Sequence, residues 1–518
     1  MKKIYLIVTL AMILIPVIFQ TSFAQEQKEA REGKSQKLDD VLETQPSQEK
    51  DDSVFPSSTT TNLEGITVTA PRQEKDVMVS PSATTINIES YKIPGTSKNV
   101  VDILKNRAII DFRGQSDLVP EKDDINMRGF DAHRFTTAID GMTLDYGRNA
   151  YGGTRTSVVD FASLPIGQIE SIEIMPGPHS ALYGAKSMGG VINLKTKTPE
   201  IYTTLKPDFT AMTSYRSYDT QTHTINVDGG AGPFNYGLFY QYYHTDGYLR
   251  NNSTDISNCF ARFGYVLPSD GYISFNAAYV DKYKEDVAKN VAGGVDYDSD
   301  YPETPETNKY AWTDRNTDSY EYAYRLNFKQ PSRFGLWTLG TYYANQDWKL
   351  HYFREKDTGK TPEVKPDEIE RYGDSSTNRQ AGLKIQNEIE IFEDNMLTVG
   401  FDSVYMWEMP TNFNRHEKHK IYYCNAGYLQ DKWTIIPRLT LTAGLRYEDV
   451  SYWRSNWDSG KNTFHITGEG SWVRRDSNQL IPKSFLTYAL GDLSDMFKDT
   501  TVSLGVSKIW NPTPFCYG

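Results

Sequence analysis

A run of acidic residues between Lys284 and Asn316 offers the oxygen ligands that calcium takes. It consists of Asp296, Asp298, Asp300, Glu303 and Glu306. The run lacks the turn glycine and the closing glutamate of an EF-hand loop, so the sequence favours a solvated acidic loop. Calcium binding by this loop stays open as the alternative.

Catalytic motifs are missing from the sequence. It contains no nucleophile elbow, phosphate loop or zinc-ligand spacing. Cys259, Cys424 and Cys516 form an odd, widely separated set, which favours unpaired packing residues. The formal net charge of −12 argues against a nucleic-acid partner. We therefore predict neither an enzyme nor a bound cofactor.

Three ordered segments carry the most specific pattern. The first runs from Asn126 through Arg128-Gly129 to Asp140-Gly141, and the second contains Glu170, Glu173, Gly177 and Pro178. The third runs from Tyr183-Gly184 through Gly189-Gly190 to Asn193. In this order they closely resemble the plug domain of TonB-dependent outer-membrane receptors, over roughly residues 63–198.

The resemblance implies that these motif residues build the plug and do not bind substrate. Gly184, Gly189 and Gly190 suit tight turns and close backbone approach. Arg128, Glu170 and Glu173 would form a charged lock between plug and barrel wall, a feature that the resemblance implies. From the sequence alone, ordinary solvated or paired surface charges explain these three residues equally well.

The upper loops of the plug, located by the resemblance, supply the ligand-binding candidates Arg134, Asp145, Tyr146, Arg148 and Tyr151. Arginine and tyrosine suit an anionic, oxygen-rich ligand such as a ferric siderophore, through charge-assisted hydrogen bonds and aromatic packing. Solvated loop residues are the alternative. His133 and His179 lie in no haem motif and are interpreted as ordinary plug residues.

The segment Ile66, Thr67, Val68, Thr69 and Ala70 resembles the TonB box, the peptide that the energy-transducing partner grasps from the periplasm. β-Augmentation needs only an extended, accessible backbone, which this β-branched stretch provides. An ordinary edge strand is the alternative. The position between a polar linker and a plug favours the TonB box.

The N-terminal elements indicate export. Lys2 and Lys3 precede an apolar stretch that ends near Phe19 and the small-residue pattern Ser22-Phe23-Ala24, so residues 1–24 are predicted to be a signal peptide. Residues 25–62 are too polar to bury a core and are predicted to be a disordered periplasmic linker. Residues 63–72 hold the TonB box region, and residues 73–198 are predicted to form a mixed α/β plug domain.

Within the plug, a short helix is predicted at Val100–Lys105 and strands at Thr136–Ile139, Ile169–Met175 and Gly190–Thr196. No later run of 18 apolar residues exists, which excludes a helical membrane protein. Aromatic residues make up 13% of the chain, with 35 tyrosines. This composition suits a barrel whose strands face lipid on one side and whose aromatics lie at the interfaces.

Residues 199–518 show repeated runs of alternating apolar and polar positions, the pattern of transmembrane barrel strands. Thirteen strands are predicted, centred near residues 213, 225, 240, 262, 277, 324, 342, 385, 403, 427, 444, 485 and 505. Short connections alternate with long ones, which favours a membrane barrel over a soluble sandwich. The predicted fold class is a partial transmembrane antiparallel β-barrel with an N-terminal α/β plug domain.

A plugged transporter barrel has about 22 strands, so we expect about nine more strands in the complete protein. The sequence predicts active import of a scarce chelate, a ferric siderophore in the first place, with cobalamin, haem or a saccharide as alternatives. The implied partners are the TonB energy-transducing complex, outer-membrane lipid and a small-molecule metal chelate. A non-transporting truncated receptor or surface ligand-binding module is the rival interpretation.

Overall fold

The structure is a computed structural model, and it describes only part of the chain. The described residues are 84–510 without the segments 89–99, 105–106, 108, 114–123, 131–133, 145–166, 168, 178–180, 185–186, 200, 203–206, 286, 289, 295–296, 305–315, 356–368, 411–419, 459–462, 466–471 and 491–499. The predicted signal peptide, linker and TonB box Ile66–Ala70 lie outside the described residues, as do Asp145, Tyr146, Arg148, Tyr151 and Pro178.

The first seven strands and one helix form the plug domain. They are β1 (Thr84–Asn87), α1 (Val100–Leu104), β2 (Ile110–Arg113), β3 (Asp124–Met127), β4 (Thr136–Ile139), β5 (Met142–Leu144), β6 (Ile169–Pro176) and β7 (Gly190–Thr196). Five of the strands make one sheet in the order β1-β6-β7-β4-β5, and β2 and β3 make a separate hairpin. The helix and the three strands that the sequence predicts here are confirmed.

The plug core forms because apolar residues alternate along its strands. In β6, Ile172 and Ile174 are buried, while the alternate residues Ser171 and Glu173 are only partly buried. Ile192 and Leu194 of β7 pack in the same cluster as Val100, Ile103 and Leu104 of α1. This core holds β4 and β7 side by side as the only parallel pair among the described plug strands.

The remaining strands form one large antiparallel sheet. They are β8 (Asp208–Arg216), β9 (Thr220–Ala231), β10 (Phe234–Thr245), β11 (Thr254–Val266), β12 (Tyr272–Glu285), β13 (Asn316–Ser332), β14 (Gly335–Glu355), β15 (Ile369–Phe392), β16 (Asn395–Pro410), β17 (Lys420–Ile436), β18 (Leu439–Asp458), β19 (Thr463–His465), β20 (Trp472–Ala489) and β21 (Thr501–Ser507). Each strand pairs with the next along the chain, except that the short β19 pairs only with β18. Each of the thirteen predicted strand centres falls within one strand of the main path, and β8 and β21 lie at its two ends.

The polarity of the large sheet is the reverse of that in a soluble protein. The face that carries the plug, here called the wall, buries polar side chains, among them Asn235, Asn258, Arg262, Asn276, Gln380 and Gln430. The opposite face leaves large apolar side chains 36–45% exposed, among them Leu238, Phe275, Tyr324, Leu383, Leu429 and Leu445. A contiguous apolar exterior around a polar interior is the pattern of a transmembrane barrel.

The connections define two ends of the sheet. At the turn end, the strands are joined at 232–233, 267–271, 333–334, 393–394 and 437–438, and positive φ angles at Gly232, Gly335 and Asp394 allow tight turns. At the loop end, the connections 246–253, 286–315, 356–368, 411–419 and 459–471 are longer. The predicted alternation is thus confirmed over most of the sheet. It fails at 217–219, which is short at the loop end, and at 490–500, which is long at the turn end.

Within the described part of the chain, no helix has both the length and the apolar character needed to span a membrane.

Candidate functional site

The turn between β4 and β5 places the plug motif Asp140-Gly141 against the wall. Both residues have positive φ, 51° and 74°, which shapes a tight turn. The Asp140 carboxylate accepts hydrogen bonds from the backbone N–H of Thr196 at 2.8 Å and from its hydroxyl at 2.9 Å. Asn327 of β13 also donates to Asp140 Oδ2, at 3.2 Å, so this carboxylate joins plug and wall.

The enclosed position of Asp140 changes its acidity. Burial raises the pKa of the Asp140 carboxyl above its ordinary value of 3.8, because the charged form loses water. The hydrogen bonds from Thr196 act in the opposite direction and reduce that rise. The raised pKa means that the folded plug binds this proton more tightly than the unfolded chain does.

The motif residues Glu173 and Asn193 meet at the same turn. Asn193 Oδ1 accepts a hydrogen bond from the Gly141 N–H at 2.9 Å, and Asn193 Nδ2 donates to Glu173 Oε2 at 2.9 Å. Glu173 Oε1 also pairs with Lys195 Nζ at 2.6 Å. Glu173 therefore contacts plug residues of β7 and supports the turn from within the plug.

A buried lysine of the wall holds this turn from the other side. Lys384 Nζ of β15 donates to the Gly141 carbonyl at 3.1 Å and lies 5.7 Å from the centre of the Tyr183 ring. A Cβ added at Gly141 would lie 3.1 Å from the same Nζ, so glycine leaves room for the lysine.

The plug motif Tyr183-Gly184, from the third of the ordered segments, lies against an ionic cluster of the wall. Arg446 of β18 pairs with Asp402 at 2.9 Å and with Glu448 at 2.7 Å, and all three are largely buried. Arg446 Nη1 also lies 3.4 Å from the Ala181 carbonyl, to which it donates. We call Asp402, Arg446 and Glu448 the wall triad. It presents a fixed cation to the plug backbone.

Other contacts hold the same plug segment. Gln430 Oε1 of β17 accepts the Ala181 N–H at 3.1 Å, so both backbone polar groups of Ala181 are bound by the wall. Leu182 and Tyr183 pack in one buried cluster with Tyr428 of β17. The plug segment 181–184 is therefore bound by a few polar contacts around a small apolar patch.

The glycines that the sequence singles out lie where the plug chain folds back. Gly177 donates to the Gly189 carbonyl at 2.9 Å, and Gly189 donates to the Arg134 carbonyl at 2.8 Å. Gly190 has φ of 139°, and a Cβ there would collide with the Met175 carbonyl. Side chains are excluded by close backbone approach at this point.

The structure does not bring Arg128, Glu170 and Glu173 together in the contacts it describes. The Arg128 side chain is exposed, while its N–H donates to the Ile109 carbonyl at 3.1 Å. Glu170 Oε2 accepts the Thr198 N–H at 3.3 Å. Arg134, the one ligand candidate among the described residues, is exposed and follows the undescribed segment 131–133.

A further ionic contact joins the end of the plug to the first strands of the wall. Lys197 Nζ pairs with Asp228 Oδ2 of β9 at 2.6 Å, and Arg262 Nη2 of β11 lies 3.4 Å from Asp228 Oδ1. Arg262 Nη1 also donates to the Lys197 carbonyl at 3.3 Å. Sequence reasoning missed this contact and the wall triad. The sequence signal for both was a pair of charged residues two positions apart in a strand whose other face is apolar, such as Arg446 and Glu448 in β18.

Comparisons with known proteins locate the same two parts. Residues 76–191 match the model of the family described as TonB-dependent Receptor Plug Domain. A protein described as Vitamin B12 transporter BtuB, from Vibrio vulnificus (strain CMCP6), is 32% identical over 104 residues, which is 20% of this chain and 16% of that protein.

Solved structures share the fold of the plug and the large sheet. A structure described as Copper transporter OprC aligns with a TM-score of 0.63 at 14% identity, over 83% of this chain and 62% of that one. The ferric citrate transporter FecA in its unliganded form aligns with a TM-score of 0.56 at 17% identity, over 79% and 60%. The open form of the ferric-catecholate import receptor Fiu from E. coli K12 gives a TM-score of 0.60 at 15% identity, over 84% and 70%.

The chain thus spans less than two thirds of the first of these structures and a much smaller part of the curated relative. The matched proteins are described as transporters and receptors, and the matched family is not one of enzymes.

Proposed function

We propose that this chain is part of a TonB-dependent receptor and that the complete protein actively imports a scarce chelate across the outer membrane. The match to the plug family and the thirteen-stranded main path of the sheet support this proposal. The observation that carries the proposal is the way the plug is held. Its backbone carbonyls at Gly141 and Ala181 accept hydrogen bonds from the buried side chains of Lys384 and Arg446 in the wall. Such contacts hold the plug in the barrel and can be broken by a pulling force on the plug.

The energetics of these contacts suit a gate. A hydrogen bond to a charged group contributes about 1.5–3 kcal/mol, and the apolar cluster around Tyr428 is small. A plug fixed by a few such bonds stays seated at rest. Applied force breaks the bonds one at a time, and water then solvates the freed carbonyls.

The handle for this force is proposed to be the TonB box, Ile66–Ala70. An extended segment adds as a strand to the partner, and backbone hydrogen bonds supply the grip. The chain has no nucleotide-binding motif, so the energy comes from the TonB complex. The apolar exterior of the sheet supports outer-membrane lipid as the second partner.

The substrate class is proposed to be a ferric siderophore. Arg134, Asp145, Tyr146, Arg148 and Tyr151 are the proposed contacts, because arginine and tyrosine recognise anionic, oxygen-rich chelates. Cobalamin, haem and saccharides are the alternative substrates.

The coupling step is tested in the intact gene by a backbone substitution in the TonB box. Val68→Pro removes one N–H from the strand that the partner grasps, whereas Val68→Thr keeps the backbone and the β-branched shape. We expect Val68→Pro to abolish uptake of radiolabelled chelate with binding unchanged, and Val68→Thr to retain both. Uptake that survives both Val68→Pro and deletion of Ile66–Ala70 would contradict TonB coupling.

The substrate is tested by fluorescence titration of the purified full-length receptor with ferric siderophores, cobalamin, haem and an oligosaccharide. We expect submicromolar binding of one ferric siderophore and a tenfold or greater loss of affinity in both Arg134→Gln and Arg148→Gln. Saturable binding by the wild-type protein without uptake would instead identify a surface ligand-binding module.

A further inference from the structure

At the loop end of the large sheet, three carboxylates from neighbouring segments surround one imidazole. His244 lies near the end of β10 and donates from Nδ1 to Asp255 Oδ1 of β11, at 2.8 Å. Its Nε2 lies 3.4 Å from Asp246 Oδ1 and 3.8 Å from Asp219 Oδ2. Asp219 belongs to the 217–219 turn and Asp246 to the 246–253 loop.

The hydrogen bond to Asp255 determines what the other ring nitrogen offers. An ionised carboxylate only accepts hydrogen bonds, so Nδ1 carries the proton and the neutral ring presents a lone pair at Nε2. The lone pair and two carboxylates then converge, with their ligand atoms within 4.8 Å of one another. Three acceptors in this arrangement repel one another unless a cation lies among them.

The spacing is close to that of the ligands of a metal ion. With metal–ligand bonds of about 2.0–2.2 Å, neighbouring ligands of a tetrahedral ion lie about 3.3–3.6 Å apart. The distances from Nε2 to Asp246 and Asp219 are 3.4 and 3.8 Å. A carboxylate that orients the far nitrogen of a ligating histidine, as Asp255 does, is the usual support of such a ligand.

Further hydrogen bonds hold the ligands in place. Asp219 Oδ1 accepts from Gln221 Nε2 at 2.8 Å, which leaves Oδ2 directed at the histidine. The Asp246 N–H donates to the Tyr218 carbonyl at 2.9 Å, so the 217–219 turn and the 246–253 loop are joined beside the cluster. Asp255 is itself fixed by the Tyr242 hydroxyl at 3.0 Å.

We propose that His244 Nε2, Asp219 and Asp246 bind a divalent transition-metal ion of the Zn²⁺ type, with Asp255 as the positioning residue. An imidazole with two carboxylates favours Zn²⁺, Cu²⁺ or Ni²⁺ over Ca²⁺, which takes oxygen ligands and more of them. Asp219 and Asp246 are 56% and 65% exposed, so the remaining coordination positions are open to solvent. The site contains none of the acidic residues of the run between Lys284 and Asn316, and it does not depend on the proposed import.

The proposal is tested on the purified, tag-free full-length receptor in detergent. Titration calorimetry with Zn²⁺ is expected to show one site per chain, and Co²⁺ is expected to give the visible absorption of a nitrogen-containing site. His244→Gln removes the nitrogen ligand and should lower Zn²⁺ affinity at least 100-fold. Asp246→Asn should lower it at least tenfold, and Asp255→Asn should lower it 10–100-fold by misorienting the ring.

The matched control is His351→Gln. His351 Nε2 pairs with Asp318 Oδ2 at 3.1 Å near the same end of the sheet, where the described residues supply no third ligand. This variant should bind Zn²⁺ as the wild type does. Heat-modifiable gel mobility establishes that each variant is folded, and Asp219→Asn replaces any that is not.

Three results would overturn the proposal. Absence of stoichiometric Zn²⁺ binding would mean that His244 is a protonated ring paired with the carboxylates. Binding that survives His244→Gln would place the ion elsewhere. Equal competition by Ca²⁺ would indicate a nonspecific acidic surface.

Discussion

Gly184 and Gly129 share a left-handed backbone but differ in their surroundings. Their φ angles are 86° and 82°; a Cβ at Gly184 would lie 3.1 Å from Glu448 Oε1, whereas one at Gly129 meets nothing within 4 Å. Alanine costs about 1 kcal/mol at either backbone position, and at Gly184 it also presses on the wall triad. We expect Gly184→Ala, but not Gly129→Ala, to sensitise cells to a large antibiotic that the closed outer membrane excludes. Equal sensitivity in the two variants would mean that backbone strain alone decides plug seating.

The buried carboxyl of Asp140 makes plug stability depend on pH. Its raised pKa means that the folded state holds a proton that the unfolded chain releases near pH 3.8. Stability therefore falls as pH rises from about 4 through the folded pKa, by about 1.4 kcal/mol for each pH unit between the unfolded and folded pKa values. Asp140→Asn should reduce the fall in melting temperature between pH 4 and 7, measured by calorimetry on the full-length receptor. The exposed Asp208→Asn is the control, and an unchanged pH profile in Asp140→Asn would assign the dependence to other groups.

At the residue level, the sequence identifies the plug residue of each plug–wall contact better than the wall residue. Asp140, Gly141 and Asn193 belong to an ordered plug motif, and the structure brings them together at one turn. Lys384 and Arg446 were not foreseen, because which wall residue meets the plug depends on strand register over hundreds of residues. A local pattern carries no information about that register.

At the level of elements, the strands of the large sheet were predictable because apolar residues of the exposed face alternate with polar residues of the face against the plug. The run Leu439–Tyr447 shows this alternation within β18. β19 was missed because three residues are too few to show a period. The long connection at 490–500 was not foreseen either, since the alternation of turn lengths is a tendency of barrels and not a steric rule.

The described part of the connection between β12 and β13 is organised around the buried side chain of Asn290. The carbonyls of Asp298, Tyr301 and Pro302 lie 2.8, 2.9 and 3.1 Å from Asn290 Nδ2 and share its two hydrogens, and Asn290 Oδ1 accepts the Asp298 N–H at 2.8 Å. At about 1 kcal/mol per bond, Asn290→Ala should open this segment and raise the rate of chymotrypsin cleavage at its tyrosines about tenfold or more. The exposed Glu303→Gln should leave the rate unchanged. Resistance of Asn290→Ala would show that the rest of the loop suffices to hold it.

At the level of the whole molecule, plug and wall are joined mostly by polar contacts, whereas the plug has an apolar core of its own. This division lets the plug loosen from the wall without unfolding, since the two sets of interactions share few residues. Three wall residues are exceptions, because Ala323, Tyr342 and Ala344 pack in the plug core. The Tyr342 hydroxyl also donates to the Thr143 carbonyl at 2.8 Å. The proposed TonB-driven step would therefore act against the wall contacts and not against the stability of the plug.

The wall triad allows that separation to be measured. Arg446→Met alone leaves Asp402 and Glu448 as buried carboxylates without their guanidinium, a loss of about 3–5 kcal/mol, so both the wall and the plug contact should fail. Replacing all three together, as Asp402→Leu, Arg446→Met and Glu448→Leu, removes the buried charges and should restore the heat-resistant gel mobility of the barrel. In this variant the Ala181 carbonyl still lacks the Arg446 donor. Of the two hydrogen bonds that Ala181 makes with the wall, only the one from its N–H to Gln430 remains. We therefore expect a stable barrel with a leaky plug, seen as permeability to a large antibiotic. A triple variant that is both stable and tight would show that Arg446 serves the wall alone and contributes nothing to the gate.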